Sequence, residues 1–160
     1  AREAGIRVVH ARFGLIISRQ GGLLARVRIP FQTALGVKLG SGRQWWPWVS
    51  LPDVINGLSY LIENEELSGP VNFTAPTPVR NEEFTRLMSK TLSRPAWFQV
   101  PTPIIKMVFG EMGKETMLSS QRVFPEKLRA AGFEWLYEDL GNALYQELIA
   151  ARSDRWGNKS

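Results

Sequence analysis

Cysteine is absent from the 160 residues, and histidine occurs once, as His10. The absence of cysteine excludes disulfides and thiolate metal sites, and a single histidine excludes a histidine-rich metal cluster. We therefore predict that the chain holds no metal. A chain without disulfides fits a reducing compartment, so we expect a cytoplasmic protein.

Long apolar runs are also missing. No run approaches the roughly 18 apolar residues of a membrane span, and the first residues lack the apolar region of a signal peptide. The sequence therefore predicts no membrane association. The formal net charge is +5, but the basic residues are dispersed along the chain, which is typical of a solvated surface. We predict no nucleic-acid binding, because that function needs a clustered basic face.

Two apolar stretches indicate buried strands. Residues 6–18 are nearly continuously apolar and rich in β-branched residues, as in a strand of a parallel sheet that is covered on both faces. Residues 70–75 form a second, shorter candidate. Between them, Pro52 and Asp53 are suited to opening a helix that continues over 54–63 with apolar residues at i, i+3, i+4 and i+7.

The rest of the chain is richer in helical patterns. Asn81 is a favourable N-cap for a helix over 82–92, and further helices are predicted over 23–35, 104–110 and 140–151. Residues 1–150 thus indicate one α/β domain with a mostly helical part over 79–150, followed by a polar tail at 151–160. Two strands do not make a stable parallel sheet, so the chain has the pattern of half of a larger fold.

The segment GSGRQWWPWVS over 40–50 places Trp45, Trp46 and Trp48 within four positions. Aromatic rings of this kind can stack on the base or sugar of a ligand. They can equally pack between two parts of the fold, which is the commoner use of tryptophan. The sequence leaves both interpretations open.

Six motifs occur in a fixed order along most of the chain. They are ARFGLIIS at 11–18, GG at 21–22, PF at 30–31, GSGRQWWPWVSLPD at 40–53, GPVNFTAPTPVRNEEF at 69–84 and SSQRVFPEKLRAAGF at 119–133. Together they resemble the C-terminal half of an extended short-chain dehydrogenase/reductase. The closer resemblance is to sugar-nucleotide-epimerase-like proteins with a C-terminal helical domain of unknown function, some of which are labelled cell-division inhibitors.

The resemblance also identifies two signatures that this chain lacks. A glycine-rich turn, Gly-x-x-Gly-x-x-Gly, holds the dinucleotide pyrophosphate in such enzymes, and the nearest match here is Gly110-Glu111-Met112-Gly113. A Tyr-x-x-x-Lys pair supplies the proton, but no tyrosine here has a lysine four residues later. We therefore assign no catalytic residue to the chain and expect NAD or NADP to bind only in the full-length protein.

The resemblance implies a substrate-binding role for the stretch from Gly36 to Asp53. The residues that it nominates for substrate are Arg12, Arg43, Gln44, Trp46, Trp48, Ser50, Asp53 and Arg80, and Asn72 is nominated for the cofactor side. Each has an alternative role, because Asp53 suits a helix N-terminus, Asn72 a strand end and Arg80 an exposed surface.

Two positions depart from the family pattern. Related nucleotide-sugar enzymes place an arginine near Trp46 to pair with the diphosphate. The usual Ile-His-x-Asp-Asp stretch reads Val-Ser-Leu-Pro-Asp over 49–53, so the histidine and one acid are absent. Both departures weaken the case for a nucleotide-sugar substrate.

Two functional hypotheses follow. The first is the substrate-binding portion of an NAD(P)-dependent nucleoside-diphosphate-sugar epimerase or dehydratase-like oxidoreductase that acts on a small molecule and is not catalytic alone. The second is a free-standing binding or interaction module, linked to cell division by the family label. We expect an apolar face formed by Val8, Ile16, Val71 and Phe73, which an N-terminal Rossmann half or a second copy would cover. The alternative is that the helices at 54–63 and 140–151 fold back and cover the strands, leaving a monomer.

Overall fold

A computed structural model describes residues 5–22, 24–25, 28, 37–39, 41–94, 98–100 and 119–150. The strands are β1 (Val9–Phe13), β2 (Leu15–Ile17), β3 (Val37–Leu39), β4 (Trp45–Trp46), β5 (Trp48–Ser50), β6 (Gly69–Phe73), β7 (Val79–Arg80) and β8 (Phe98–Val100). The helices are α1 (Leu51–Glu63), α2 (Asn81–Leu92), α3 (Glu126–Ala130) and α4 (Leu140–Tyr145), which continues as a π-helical turn over Gln146–Ala150.

The strands pair mainly in parallel. β1 pairs with β6, β2 with β5 and β3 with β8 in parallel, whereas β4 and β7 are antiparallel. The prediction of one strand over 6–18 is wrong, because the chain changes partner at Gly14. The Gly14 N–H donates to Phe73 O at 3.0 Å, and the next N–H, of Leu15, donates to Pro47 O at 2.7 Å. A Cβ at Gly14 would lie 2.7 Å from Pro47 O, so only glycine allows this close approach.

Two clusters of buried side chains form the core. The larger one is built around α2 and α4 and contains Ile17, Leu24, Trp46, Trp48, Ala75, Phe84, Met88, Leu140, Ala143, Leu144 and Leu148. The smaller one lies between β6, α1 and α3 and contains Leu61, Leu67, Val71, Phe73, Leu128 and Phe133. Val71 and Phe73 are therefore fully buried, so the apolar face predicted at these two residues is wrong, whereas Val8 and Ile16 are half-buried. The alternative, coverage of the strands by the helix at 54–63, agrees with this packing. Helices α1 and α3 cover that face within the chain itself.

Helix α1 is fixed at both ends by side chains. The backbone N–H of Asp53 donates to Ser50 Oγ at 3.0 Å, and Pro52 occupies the first turn, where its missing N–H costs nothing. The last turn of α1 has no basic residue of its own. Arg7 replaces it, because its Nη1 donates to the carbonyl oxygens of Leu61 and Asn64 at 2.9 and 3.2 Å. The start of β1 is thereby tied to the end of α1.

Two predicted helix ends differ from those observed. Asn81 is the first residue of α2 and is buried, and the N-cap position falls on Arg80. The predicted final helix changes from α-helical to π-helical geometry at Gln146. The predicted helix over 104–110, the tail over 151–160 and most of the helix over 23–35 lie outside the described residues.

No helix in the part of the chain that the structure describes has both the length and the apolar character needed to cross a membrane.

Gly57 is the position in α1 where we expect a methyl group to be harmful. A Cβ there would lie 2.6 Å from Cε1 of Phe73, whose ring is fully buried. Alanine favours a helix over glycine by about 1 kcal/mol, but over-packing a rigid core costs more, so we expect Gly57→Ala to lower the free energy of unfolding by about 1–2 kcal/mol. Urea denaturation measures the change. Gly21→Ala, whose methyl would meet no atom within 4 Å, is the control, and equal effects at both sites would contradict the packing argument.

Candidate functional site

A cleft of about 430 Å³ opens where β1 ends. It is lined by Phe13, Gly14, Leu15, Trp45, Trp46, Pro47, Ser119 and Gln121. Phe13 is the last residue of β1, and its strand runs parallel to β6. In open α/β sheets, ligands bind outside the carboxyl ends of parallel strands. The position of the cleft within the fold is therefore the one expected for a ligand site.

Trp45 forms one wall of the cleft and is held from both sides. On one side, Trp45 lies opposite Arg80 in the antiparallel pair of β4 and β7. On the other side, the Trp45 N–H donates to Ser120 Oγ at 3.1 Å, and the Gln121 N–H donates to Trp45 O at 3.3 Å. The segment 119–125 thus runs beside β4, and the indole of Trp45 is half-buried between the two neighbours.

Two guanidinium groups lie against the Trp45 ring. The Cζ atoms of Arg80 and Arg122 are 5.1 and 4.7 Å from the ring centroid, and Arg122 is also 5.2 Å from the centroid of Phe124. Cation–π contacts of this kind fix an arginine side chain while leaving its N–H groups available. Arg80 shares its charge with Glu82 at 3.9 Å across an exposed salt bridge. Neither ion pair of the described residues includes Arg122.

Trp46 and Trp48 have a different position from Trp45. They are 3% and 1% exposed, respectively. Trp46 packs edge-on against Phe84 with ring centroids 5.2 Å apart, and Trp48 Nε1 donates to Thr77 O at 2.8 Å. The burial of both rings favours the packing interpretation, although Trp46 also lines the cleft.

Ser50 and Asp53 form a buried unit at the start of α1. The Ser50 hydroxyl donates to Asp53 Oδ2 at 2.6 Å. The carboxylate also accepts from the N–H of Leu136 at 2.6 Å and of Tyr137 at 3.2 Å. Asp53 therefore joins the first turn of α1 to the loop before α4, as expected for a residue at a helix N-terminus. Neither residue lines the cleft.

The remaining predicted residues do not line the cleft. Arg12 and Arg43 are exposed, and Gln44 is buried with its carbonyl accepting from the Asn81 N–H at 3.0 Å. Asn72 lies opposite Arg12 in the β1–β6 pair, and its Nδ2 donates to Phe124 O at 3.3 Å. Asn72 thus positions the segment that carries Arg122. A cofactor contact by Asn72 stays a prediction.

The structure adds cleft residues that the sequence did not identify. Phe13, Gln121 and Arg122 lie in or beside the cleft, although the motifs containing them are recognisable in the sequence. Trp45 was already one of the three rings considered for stacking on a ligand. Trp45 and Ser120 are 75 positions apart in the chain. No spacing rule relates residues at that separation, so only the folded chain shows that they meet.

Metal-ligating side chains do not indicate a second site in the described residues. These residues include no group of three or more side chains able to hold a metal ion. A hydrogen bond from Arg86 lowers the pKa of Glu83, but this pair lies on the exposed side of α2, with N and O atoms 2.6 Å apart. Such a pair contributes little to stability.

The sequence of this chain is similar to part of several known proteins. The chain is 42% identical over 144 residues to an epimerase family protein of Mycobacterium tuberculosis, covering 90% of this chain and 48% of the relative. Residues 100–147 match a family model described as a domain of unknown function (DUF1731). The chain matches the C-terminal part of epimerase family proteins. It spans about half the length of the curated relatives that it matches.

Solved structures agree with this match. The human epimerase family protein SDR39U1, solved with NADPH, is 31% identical with a TM-score of 0.84, covering 88% of this chain and 48% of that one. A nucleoside-diphosphate sugar epimerase from Corynebacterium glutamicum is 28% identical with a TM-score of 0.72, covering 99% of this chain and 31% of that one. The α/β fold class of an extended short-chain dehydrogenase and the family resemblance predicted from the sequence are thus confirmed.

Proposed function

We propose that this chain is the substrate-binding part of an NAD(P)-dependent epimerase or dehydratase-like oxidoreductase. One observation carries the proposal: a cleft at the carboxyl end of β1 has Trp45 as a wall and two guanidinium groups against that ring. Trp45 provides a half-buried aromatic surface, and Arg122 provides a positive charge that is not in either described ion pair. A ligand with a planar or sugar ring next to a phosphate group fits both features.

Arg122 and Arg80 take the role of the diphosphate-binding arginine that related enzymes place near Trp46. Trp46 lines the cleft but is only 3% exposed, and its indole carries no positive charge that could pair with a diphosphate. Arg122 approaches the neighbouring ring of Trp45 from the segment 119–125, and Arg80 approaches the same ring from β7. The proposal therefore assigns phosphate binding to Arg122 first and to Arg80 second, because Glu82 already neutralises part of the Arg80 charge.

The residues of this chain alone do not fit a dinucleotide. Its 14 glycines include no Gly-x-x-Gly-x-x-Gly sequence. At Gly14, the space that the missing side chain leaves is filled by the backbone of Pro47. Pyrophosphate binding and proton transfer would then belong to the other half of a longer protein. The NADPH in the human neighbour supports NADP or NAD as the cofactor of such a protein. By itself, this chain would bind substrate without converting it.

A fluorescence titration with UDP-glucose tests the proposal. We expect the tryptophan emission to change on binding, and Arg122→Ala to weaken binding at least tenfold, because a charge-assisted hydrogen bond to phosphate is worth about 1.5–3 kcal/mol. Arg129→Ala removes another exposed arginine, from α3, and is the matched control. An unchanged dissociation constant in Arg122→Ala, or no response to UDP-glucose at all, would refute phosphate binding at this cleft.

A free-standing interaction module is the second candidate. The observation that favours it is a row of exposed apolar residues on α1, namely Ile55, Leu58 and Ile62. A chain that responds neither to UDP-glucose nor to NADPH, and that self-associates in gel filtration, would support this alternative over a substrate-binding role.

A further inference from the structure

The segment 119–125 reaches the cleft without belonging to a helix or a strand. It supplies two residues of the cleft lining, and it carries Arg122, whose guanidinium lies against the Trp45 ring. Its first four residues are exposed, whereas its last residue, Pro125, is buried and accepts a hydrogen bond from the Arg129 N–H of α3 at 2.9 Å. Contacts between the segment and other elements therefore set the position of Arg122.

Two anchor points bracket Arg122 within this segment. Before it, the backbone N–H and C=O of Trp45 are hydrogen-bonded to the two preceding residues of the segment, at 3.1 and 3.3 Å. After it, Asn72 Nδ2 donates to Phe124 O at 3.3 Å. Arg122 lies between the two anchors, so the loss of either one allows its side chain to move.

Asn72 is itself held in place by its strand. Its neighbours in β6, Val71 and Phe73, are fully buried, and β6 pairs with β1 along its whole length. Successive side chains of a strand point to opposite faces, so Asn72 projects from the face opposite the core side of β6. The side-chain amide is thus a donor on a fixed backbone at the point where the segment 119–125 passes the strand.

The Asn72 bond fixes one of the two rings that hold Arg122. The Arg122 Cζ is 4.7 Å from the Trp45 ring centroid and 5.2 Å from the Phe124 ring centroid. Phe124 is also the residue whose carbonyl accepts from Asn72. Arg80 reaches the Trp45 ring from β7, at 5.1 Å. Loss of the Asn72 amide should therefore displace Arg122 and leave Arg80 in place.

We propose that Asn72 is a positioning residue for the ligand of the cleft, and that it holds the Arg122 guanidinium ready for a phosphate group by fixing Phe124. Asn72 does not line the cleft, so it acts through Phe124 and does not touch the ligand. An arginine that is already fixed in its bound position loses less side-chain freedom on binding. The inference rests on the proposed function, which assigns phosphate binding to Arg122.

NMR spectroscopy of the ligand-free chain tests the first step. The Arg122 side chain lies against two aromatic rings, whose ring currents shift the signals of its Nε–H and Cδ–H protons. We expect Asn72→Ala to remove most of that shift, while the corresponding Arg80 signals stay unchanged because β7 holds that side chain. Arg122→Ala identifies the signals by their loss.

The UDP-glucose titration tests the second step. Asn72→Ala should raise the dissociation constant about threefold to tenfold, the factor that corresponds to one neutral hydrogen bond. Added to Arg122→Ala, it should cause no further loss, because Asn72 acts through that residue. Asn64→Ala is the matched control. It removes another partly buried side-chain amide, which donates to the Tyr60 hydroxyl at 3.4 Å, and it should change neither the affinity nor the Arg122 signals.

The outcomes separate this inference from the proposed function. An unchanged dissociation constant in Arg122→Ala would overturn both. Weakened binding in Arg122→Ala, together with unchanged affinity or unchanged Arg122 signals in Asn72→Ala, would overturn the positioning role alone. So would losses that add in the double variant, because Asn72 would then contact the ligand itself.

Discussion

Replacing Asp53 by alanine is expected to lower the free energy of unfolding by about 3–5 kcal/mol. The carboxylate is 1% exposed. It accepts hydrogen bonds from the Ser50 hydroxyl and from the backbone N–H groups of Leu136 and Tyr137. Removing it leaves the buried Ser50 hydroxyl and two partly buried N–H groups without their acceptor. Urea denaturation followed by circular dichroism measures the loss.

Asp139→Ala is the matched control for this prediction. Asp139 is also an aspartate at a helix start, where its Oδ1 accepts from the Asn142 N–H at 2.9 Å, but it is exposed. Loss of an exposed N-cap costs about 1 kcal/mol. If Asp53→Ala and Asp139→Ala destabilise the chain equally, then Asp53 acts as an ordinary cap and does not hold the loop at 136–137 to α1.

Local patterns predicted the elements that depend on local chemistry. The prediction that Pro52 and Asp53 open a helix agrees with the structure to within one residue, because α1 begins at Leu51 with Pro52 and Asp53 in its first turn. The break at Gly14 could not be predicted in the same way. ARFGLIIS has strand-forming residues on both sides of the glycine, and the change of partner from β6 to β5 depends on Pro47, more than 30 residues later.

The residues that meet at the cleft could not be predicted from local patterns either. Arg80 was nominated from the sequence, whereas Arg122 lies in a motif that is recognisable in the sequence but has no predicted role there. The two arginines meet at Trp45 because β4 has β7 on one side and the segment 119–125 on the other. That arrangement is a tertiary contact between three distant segments. Periodicity and composition describe one segment at a time and cannot supply it.

The tryptophan segment both packs in the core and borders the cleft. Successive side chains of a β-strand point to opposite faces, and Pro47 separates β4 from β5. Trp46 and Trp48 lie two positions apart and both enter the core, whereas the half-buried Trp45 projects to the other side. Trp45 and Trp46 both border the cleft. The same eleven residues therefore supply both the packing and the aromatic wall that the sequence left as alternatives.

Trp48→Ala is expected to be the most destabilising change in this segment, with a loss of about 3–5 kcal/mol. Its side chain is 1% exposed, and alanine would leave a cavity within the larger core cluster. The substitution also removes the Nε1–H that donates to Thr77 O at 2.8 Å. Trp48→Phe keeps most of the apolar volume but leaves that carbonyl without its donor, so a smaller loss of about 1–3 kcal/mol is expected.

Trp45→Ala provides the comparison within the same segment. Its ring is half-buried and faces the cleft, so truncation should cost about 1 kcal/mol or less in urea denaturation. In the UDP-glucose titration it should weaken binding at least as much as loss of Arg122 does. The Trp45 ring is the aromatic wall of the cleft, and it also holds the Arg122 guanidinium in place. A loss of stability at Trp45 equal to that at Trp48, with unchanged ligand binding, would instead assign all three tryptophans to the core and leave the cleft without its aromatic wall.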